Sequence, residues 1–388
     1  MNALPPQASA PKARALPGRA AQMSTRAGFF IAGFALAAWA PLVPFAKARA
    51  GLDDAGLGLV LLCLGIGSIA AMLPTGPLAA RFGVRLVITC GTLALAAAAP
   101  VLASTASVPL LALALAVFGA GLGMVDVAIN IQAVIVEKAS GRAMMSGFHG
   151  LFSVGGIAGA GGAVGLLSLG LPPVAIGIGV AVVALALLAV AWPHLLPYGG
   201  HSGGPLFVLP RGFVLFVGAL CFAMFLAEGA VLDWSAVFLV TVRGVEPTVA
   251  GIGYAAFAVA MTVGRLTGDR IVSRLGPRRV LQVGGVCTAA GFLIATLSPS
   301  VPVAVVGYGL VGLGAANIVP VLFTAAGRHP VMPPSLAVAA ITTIGYAGVL
   351  AGPALIGFVA QATSLPAAFL GLAVLTLAVA AAARRATG

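Results

Sequence analysis

Few residues in this chain are equipped for chemistry, and several of those stand where a polar group is expensive. The stretch GMVDVAINIQAVIVEKASGRAMMSGFHG, Gly123 to Gly150, sets Asp126, Asn130 and Glu137 in a long apolar run, then a short charged break, then His149 just inside the next run. Asn130 is four residues past Asp126, and Glu137 eleven past it returns to within about 20° on a helix, so the three share a stripe while Gln132 points elsewhere. A charged carboxylate at mid-membrane costs at least about 2.5 kcal/mol. Such a group must face a wet cavity, meet a partner or hold a proton.

Carboxyl and imidazole groups removed from water can exchange protons near neutrality, which is what proton-transfer chemistry needs. Asp126, Glu228 and His149 are the candidates for that role, with Asp126 and His149 expected to meet directly or through water, as a proton relay or as a fixed interhelical tie. Glu228 lies deep in its apolar run without a nearby basic residue in sequence. Asp233 and Trp234 follow toward the other end of the same run, where a gate or solute contact is expected. Trp39, ahead of Pro41 and Pro44, has the ring to stack on a solute, although tryptophan also gathers at membrane interfaces.

Enzymatic and nucleotide chemistry find little support. There is no phosphate-binding glycine loop between a strand and a helix, and Cys63, Cys90, Cys221 and Cys287 each stand alone in apolar runs, with neither disulfide nor metal spacing. No cofactor or metal is expected. The formal charge of +12 is scattered in short clusters between apolar runs, which argues against nucleic acid.

The elements that must position these residues are membrane spans. The chain is 61% hydrophobic and 7% charged, with a mean hydropathy of +1.15, against roughly 25% charged in soluble domains. Twelve apolar runs are long enough to cross hydrocarbon as helices: 26–46, 55–79, 84–104, 108–134, 143–168, 173–193, 212–240, 248–268, 278–298, 301–325, 334–360 and 365–383. With the N-terminus inside, 17 of 20 Lys and Arg, Arg265 among them, fall on the inner side. Only Lys47, Arg49 and Arg243 fall outside, as the positive-inside rule expects. Both termini are expected to be cytoplasmic.

Residues 1–25 read as a disordered basic tail, within which Met23 is an alternative start to Met1. The first run followed by Ala46-Lys47-Ala48 mimics a signal peptide, but cleavage there would leave eleven spans and break the inside-outside count. A six-helix bundle is expected over 26–193, a linker over 194–211 and a second bundle over 212–388. The chain repeats itself in this register. Arg81-Phe82-Gly83 after span 2 matches Arg274-Leu275-Gly276 after span 8, and the two glycines are 193 apart.

Two six-span halves in parallel repeat resemble the major facilitator superfamily of transporters. Gly76-Pro77-Leu78-Ala79-Ala80-Arg81-Phe82-Gly83-Val84-Arg85 is similar to that family's GxLADRxGRK loop, with Ala80 where the family has Asp; there the acid latches the loop to neighbouring helix ends in the outward-facing state. The second copy, GRLTGDRIVSRLGPRR, keeps an acid at Asp269. The resemblance makes Gly76, Arg81, Gly83 and Arg85, with Asp269, Arg270, Arg274, Gly276 and Arg278, gating-loop residues. DVAINIQAVIVE, GRAMMSGFHGLFSVGG and EGAVLDWSAVFL together resemble the MosC/YbjJ-like branch of bacterial inner-membrane proteins, loosely related to sugar permeases.

The resemblance implies a multi-pass protein of the bacterial inner membrane in which spans 1, 4, 7 and 10 line a central cavity. Asp126, Asn130, Glu228 and Asn317 then point inward, with Asn130, Asn317, Trp39, Asp233 and Trp234 as solute contacts. A monomeric, all-α secondary carrier of a small polar organic solute, a sugar, polyol or amino sugar, coupled to protons and working by alternating access, follows as the expected function. Proton-driven efflux of amphipathic or drug-like compounds is the alternative. The GxxxGP block of drug antiporters is only partly matched, in span 11, by Gly348 to Pro353.

Overall fold

A computed structural model describes residues 17–199, 209–246, 249–330 and 332–387. The side chains of Asp54 and Ala55 lie outside the description. So do residues 1–16 of the expected tail and 200–208 of the expected linker.

The helices are α1 (Arg19–Trp39), α2 (Val43–Ala50), α3 (Asp54–Phe82), α4 (Val84–Ser104), α5 (Val108–Ser140), α6 (Met145–Ser168) and α7 (Pro173–Ala191). After the linker come α8 (Phe213–Arg243), α9 (Ile252–Leu275), α10 (Pro277–Leu297), α11 (Val301–Ala315), α12 (Ile318–Arg328), α13 (Pro334–Ala362) and α14 (Leu365–Ala386). Span 1 is α1 continued through a tight turn at Ala40–Leu42 into α2, where Pro41 and Pro44 remove backbone donors. Span 10 is α11 and α12, interrupted at Ala316 and Asn317. Residues 19–25, expected to be irregular, are instead the first turns of α1: Ser24 and Thr25 are buried there beneath the Gln132 amide.

Eleven of these segments are long and apolar enough to cross a membrane among the described residues. The twelfth, α9, is diluted by Arg265, Asp269, Arg270 and Arg274. At 24 residues it is still about 36 Å long. Arg265 lies ten residues before its end, about 15 Å along the axis. It is therefore an interior residue, not one of the inner-face charges with which the sequence groups it.

The internal repeat is carried by close glycine contacts. A Cβ on Gly121 of α5 would stand 2.6 Å from the Gly91 carbonyl oxygen of α4, and one on Gly314 of α11 would stand 2.7 Å from that of Gly284 in α10. Both pairs obey the 193-residue offset, and only glycine lets the backbones approach so closely. Gly155 and Gly159 press α6 onto α1 in the same way.

Two of the basic residues at the far ends of the spans also obey the repeat. Arg49 donates to the carbonyls of Leu102 and Thr105, each at 2.8 Å, and Arg243 donates to that of Thr296. Each cation covers the carbonyl end of the neighbouring helix, α4 or α10, where the helix dipole favours positive charge. They are helix caps, which accounts for two of the three exceptions to the charge bias.

The seams between the first seven helices and the last seven are α3 against α13 and α6 against α9, with α12 reaching across to α5 and α6. They are tight toward the end that carries Arg19 and Ala386. There a Cβ on Gly76 would lie 2.7 Å from Ala339, one on Gly268 2.6 Å from Ser146, and one on Gly327 2.3 Å from Val134.

Candidate functional site

Each seam holds a polar group at depth. On the α6–α9 side, Glu228 from α8 and Arg265 from α9 form an ion pair, Nη2 to Oε2 at 3.3 Å, with side chains 14% and 9% exposed. Arg265 also donates through Nη1 to Ser153 Oγ of α6 at 3.2 Å, and Ser153 donates to the His149 carbonyl at 3.4 Å. The chain of contacts thus crosses from one half to the other. The pairing is single and long beside the roughly 2.7–2.9 Å of a two-pronged Arg–carboxylate pair. Among the described residues, Glu228 Oε1, Arg265 Nε and His149 Nε2 are all buried without a hydrogen-bond partner. Buried polar atoms are nearly always satisfied, so three orphans around one ion pair mark an unfinished site.

His149 lies between two aromatic rings, with Phe29 at 5.0 Å and Phe323 at 5.7 Å between centroids. Tyr254 of α9 lies within electrostatic reach of Glu228, Arg265 and Asp233, and Asp233 is exposed.

On the α3–α13 side stands Asp126, half-buried in α5. Its Oδ1 accepts from Asn130 Nδ2 at 3.1 Å, and the same amide reaches the Asp126 carbonyl at 2.9 Å. Tyr346 of α13 lies close to Ser68 of α3 and within the field of Asp126. Among the described residues no cation pairs with Asp126. Among the described residues no direct hydrogen bond or ion pair joins Asp126 to His149: His149 packs on aromatic rings beside Arg265, whereas Asp126 keeps the company of Asn130 and Tyr346. Helices α5 and α6 are consecutive but diverge from their shared end, which separates the two side chains.

Other expected contacts are spent on packing. Asn317 donates to the Gly264 carbonyl at 3.1 Å and braces the break in span 10 against α9. Trp39 is buried with Leu42, Leu102, Phe118 and Val180 inside the first half, away from the seams. Trp234 is half-buried against Gly357 of α13.

The closed end is built by two carboxylates that converge on the start of α6. Glu137 Oε2 accepts from the Met144 and Met145 backbone N–H groups at 2.8 and 2.9 Å, while its Oε1 accepts from Thr324 Oγ1 at 2.7 Å and faces Arg328 at 3.6 Å. Asp269, from the other half, accepts from the Gly147 N–H at 3.1 Å with both oxygens. The first N–H groups of a helix have no internal partner and carry partial positive charge. Three of them are thereby held by one acid from each half.

The first copy of the loop behaves differently. Arg85 donates to the carbonyls of Leu195 and Pro193 at 2.8 and 3.1 Å and covers the Trp192 ring, so it holds the start of the linker. Gly83, with φ of +85°, has no room for a Cβ beside the Pro197 carbonyl. Sequence reasoning gave no site role to Arg265, Ser153 or Tyr346, and put Glu137 only on the stripe of Asp126. Glu137 left a further signal, a carboxylate eight residues before a new helix start.

The Major Facilitator Superfamily model matches residues 27–326 and 216–387. An uncharacterized MFS-type transporter of Yersinia pestis is 60% identical over 372 residues, covering 96% of this chain and 97% of that protein. The membrane protein MosC of Rhizobium meliloti is 31% identical, with 88% and 84% covered. In structure, the E. coli fucose:proton symporter FucP matches with a TM-score of 0.79 at 17% identity, covering 95% of this chain and 98% of that one, and the same protein in its outward conformation gives 0.78. The chain belongs to the major facilitator superfamily, in its MosC-like branch, and is a membrane transporter.

Proposed function

We propose that the chain is a proton-coupled secondary carrier for a small polar organic solute of the sugar, polyol or amino-sugar kind, working by alternating access. The observation that carries this reading is Asp126, a carboxylate at a seam whose close partners among the described residues, Asn130 and Tyr346, are neutral. Its charge is stabilised only while water reaches it, so binding a proton is linked to closing that side. Glu228 is a poorer proton site, because neutralising it strands Arg265, and a buried charge that loses its partner costs about 3–5 kcal/mol. Asp126 therefore takes the coupling proton, and Glu228 with Arg265 and His149 meets the solute.

The moving units are the two bundles, 26–193 and 212–388, joined by 194–211. The tight end at the start of α6 supports an outward-facing arrangement, which is also the conformation in which FucP gives a close match. The distribution of Lys and Arg supports placing that end, and both termini, in the cytoplasm of a bacterial inner membrane. The carrier acts as a monomer.

The test uses the full chain in proteoliposomes with fucose, xylose, glucose and myo-inositol as probes and a trapped pH dye. Uptake of a probe should carry protons, and Asp126→Asn should abolish gradient-driven uptake while leaving counterflow exchange intact. Gradient-driven uptake that survives in D126N removes Asp126 from the mechanism.

A further inference from the structure

We propose that Glu228 and Arg265 form a charge-neutral clamp for two adjacent hydroxyl groups, and that the site selects uncharged polyhydroxylated solutes over their amino and carboxylate derivatives. The inference rests on the carrier reading above. Glu228 Oε1 is an orphaned acceptor and Arg265 Nε an orphaned donor, one on each member of the ion pair. A hydroxyl both donates and accepts. Two neighbouring hydroxyls can therefore satisfy both atoms, one donating to Oε1 and the other accepting from Nε, without disturbing the pair itself.

Charge decides the selectivity. A solute carboxylate drawn to Arg265 would lie beside Glu228, and a solute ammonium drawn to Glu228 would lie beside Arg265. Each charged derivative meets a like charge in a site where little water remains to screen it. The surroundings suit a sugar-like body: Phe29 and Phe323 flank His149 as apolar walls, and the orphaned His149 Nε2 offers a third polar contact. Arg265 holds Ser153 of the opposite half, so a solute on the clamp sits on the seam whose opening it must control.

The experiment is a thermal-shift and competitive-uptake panel on the full-length carrier with hexoses and inositols, each offered as neutral parent, amino derivative and carboxylate derivative. In the wild type the neutral parent should act at about tenfold lower concentration than either charged form, the equivalent of about 1.4 kcal/mol. Glu228→Gln leaves an unopposed guanidinium and should tip preference toward the carboxylate; Arg265→Gln should tip it toward the amine. The double variant, neutral again, should show neither switch. If the wild type prefers a charged derivative while D126N still uncouples its uptake, the clamp is wrong and the carrier reading stands. If no member of the panel binds or moves, both are wrong.

Discussion

Glu137→Gln should loosen the closed end without unfolding the protein. The carboxylate accepts from two backbone N–H groups at the start of α6 and from Thr324 across the seam, and it faces Arg328. Glutamine keeps one carbonyl oxygen, enough for the N–H groups of its own half, but replaces the oxygen facing Thr324 and Arg328 with a donor. A hydrogen bond to a charged group contributes about 1.5–3 kcal/mol. Arg328 is 53% exposed, so its share is the smaller one, about 0.2–1 kcal/mol. The cross-seam loss is then about 2 kcal/mol, or roughly a thirtyfold shift in the ratio of closed to open populations at this end.

Spin labels at Arg142 and Arg274, both exposed and one in each half at this end, would report it. Pulsed dipolar spectra of E137Q should gain a longer-distance component, with a melting temperature close to that of the wild type. An unchanged distance distribution would mean that the acid merely caps α6, and the latch argument would fail.

Asp269→Asn should shift the same distances in the same direction, since it removes the charged acceptor of the Gly147 N–H group. Ala80→Asp, placing an acid at the matching site near the start of α13, should do the opposite and slow turnover by over-stabilising closure; faster turnover would refute the equivalence of the two loops. Gly121→Ala puts a Cβ 2.6 Å from the Gly91 carbonyl oxygen and should cost about 1–3 kcal/mol through overpacking. Its repeat mate Gly314→Ala should cost a similar amount, and thermal unfolding in detergent would expose any difference between them.

The spans were legible because hydrocarbon thickness and the glycine or proline punctuation leave little freedom: 84–104 is α4 residue for residue, whereas 301–325 is interrupted at Ala316 and Asn317 and runs on to Arg328, and α1, α5 and α9 extend past their apolar runs on polar residues that hydropathy does not count. The site was half legible. Asp126 and Glu228 declare themselves as acids in apolar runs, but Arg265 hid among the basic residues that set orientation, because its run was taken to end three residues later whereas α9 continues to Leu275. Nothing in a one-dimensional pattern shows that Glu228, thirty-seven residues upstream, faces it. Trp39 and Asn317 misled for the opposite reason: residue types suited to solute contact also fill cores and brace helix breaks, and only packing tells which.

The two halves repeat in backbone and diverge in charge, and on the proposed mechanism that divergence is what allows one bundle to couple two events. The glycine contacts and the arginine caps occur twice at nearly the same offset, so the scaffold is symmetric. The acids are not: at the 193-residue offset Asp269 matches Gly76, and Glu228 with Arg265 matches Ala35 and Met72. On the proposed mechanism, an ion pair on one seam and, among the described residues, a carboxylate without a cation on the other give the proton and the solute separate addresses. Exchanging them should therefore break coupling before it breaks folding. Installing a cation beside Asp126 by Ser68→Lys, on the helix that faces it, should make transport of the probe solutes independent of the proton gradient while leaving their rank order of affinity intact; a changed rank order would show that the two addresses are one site.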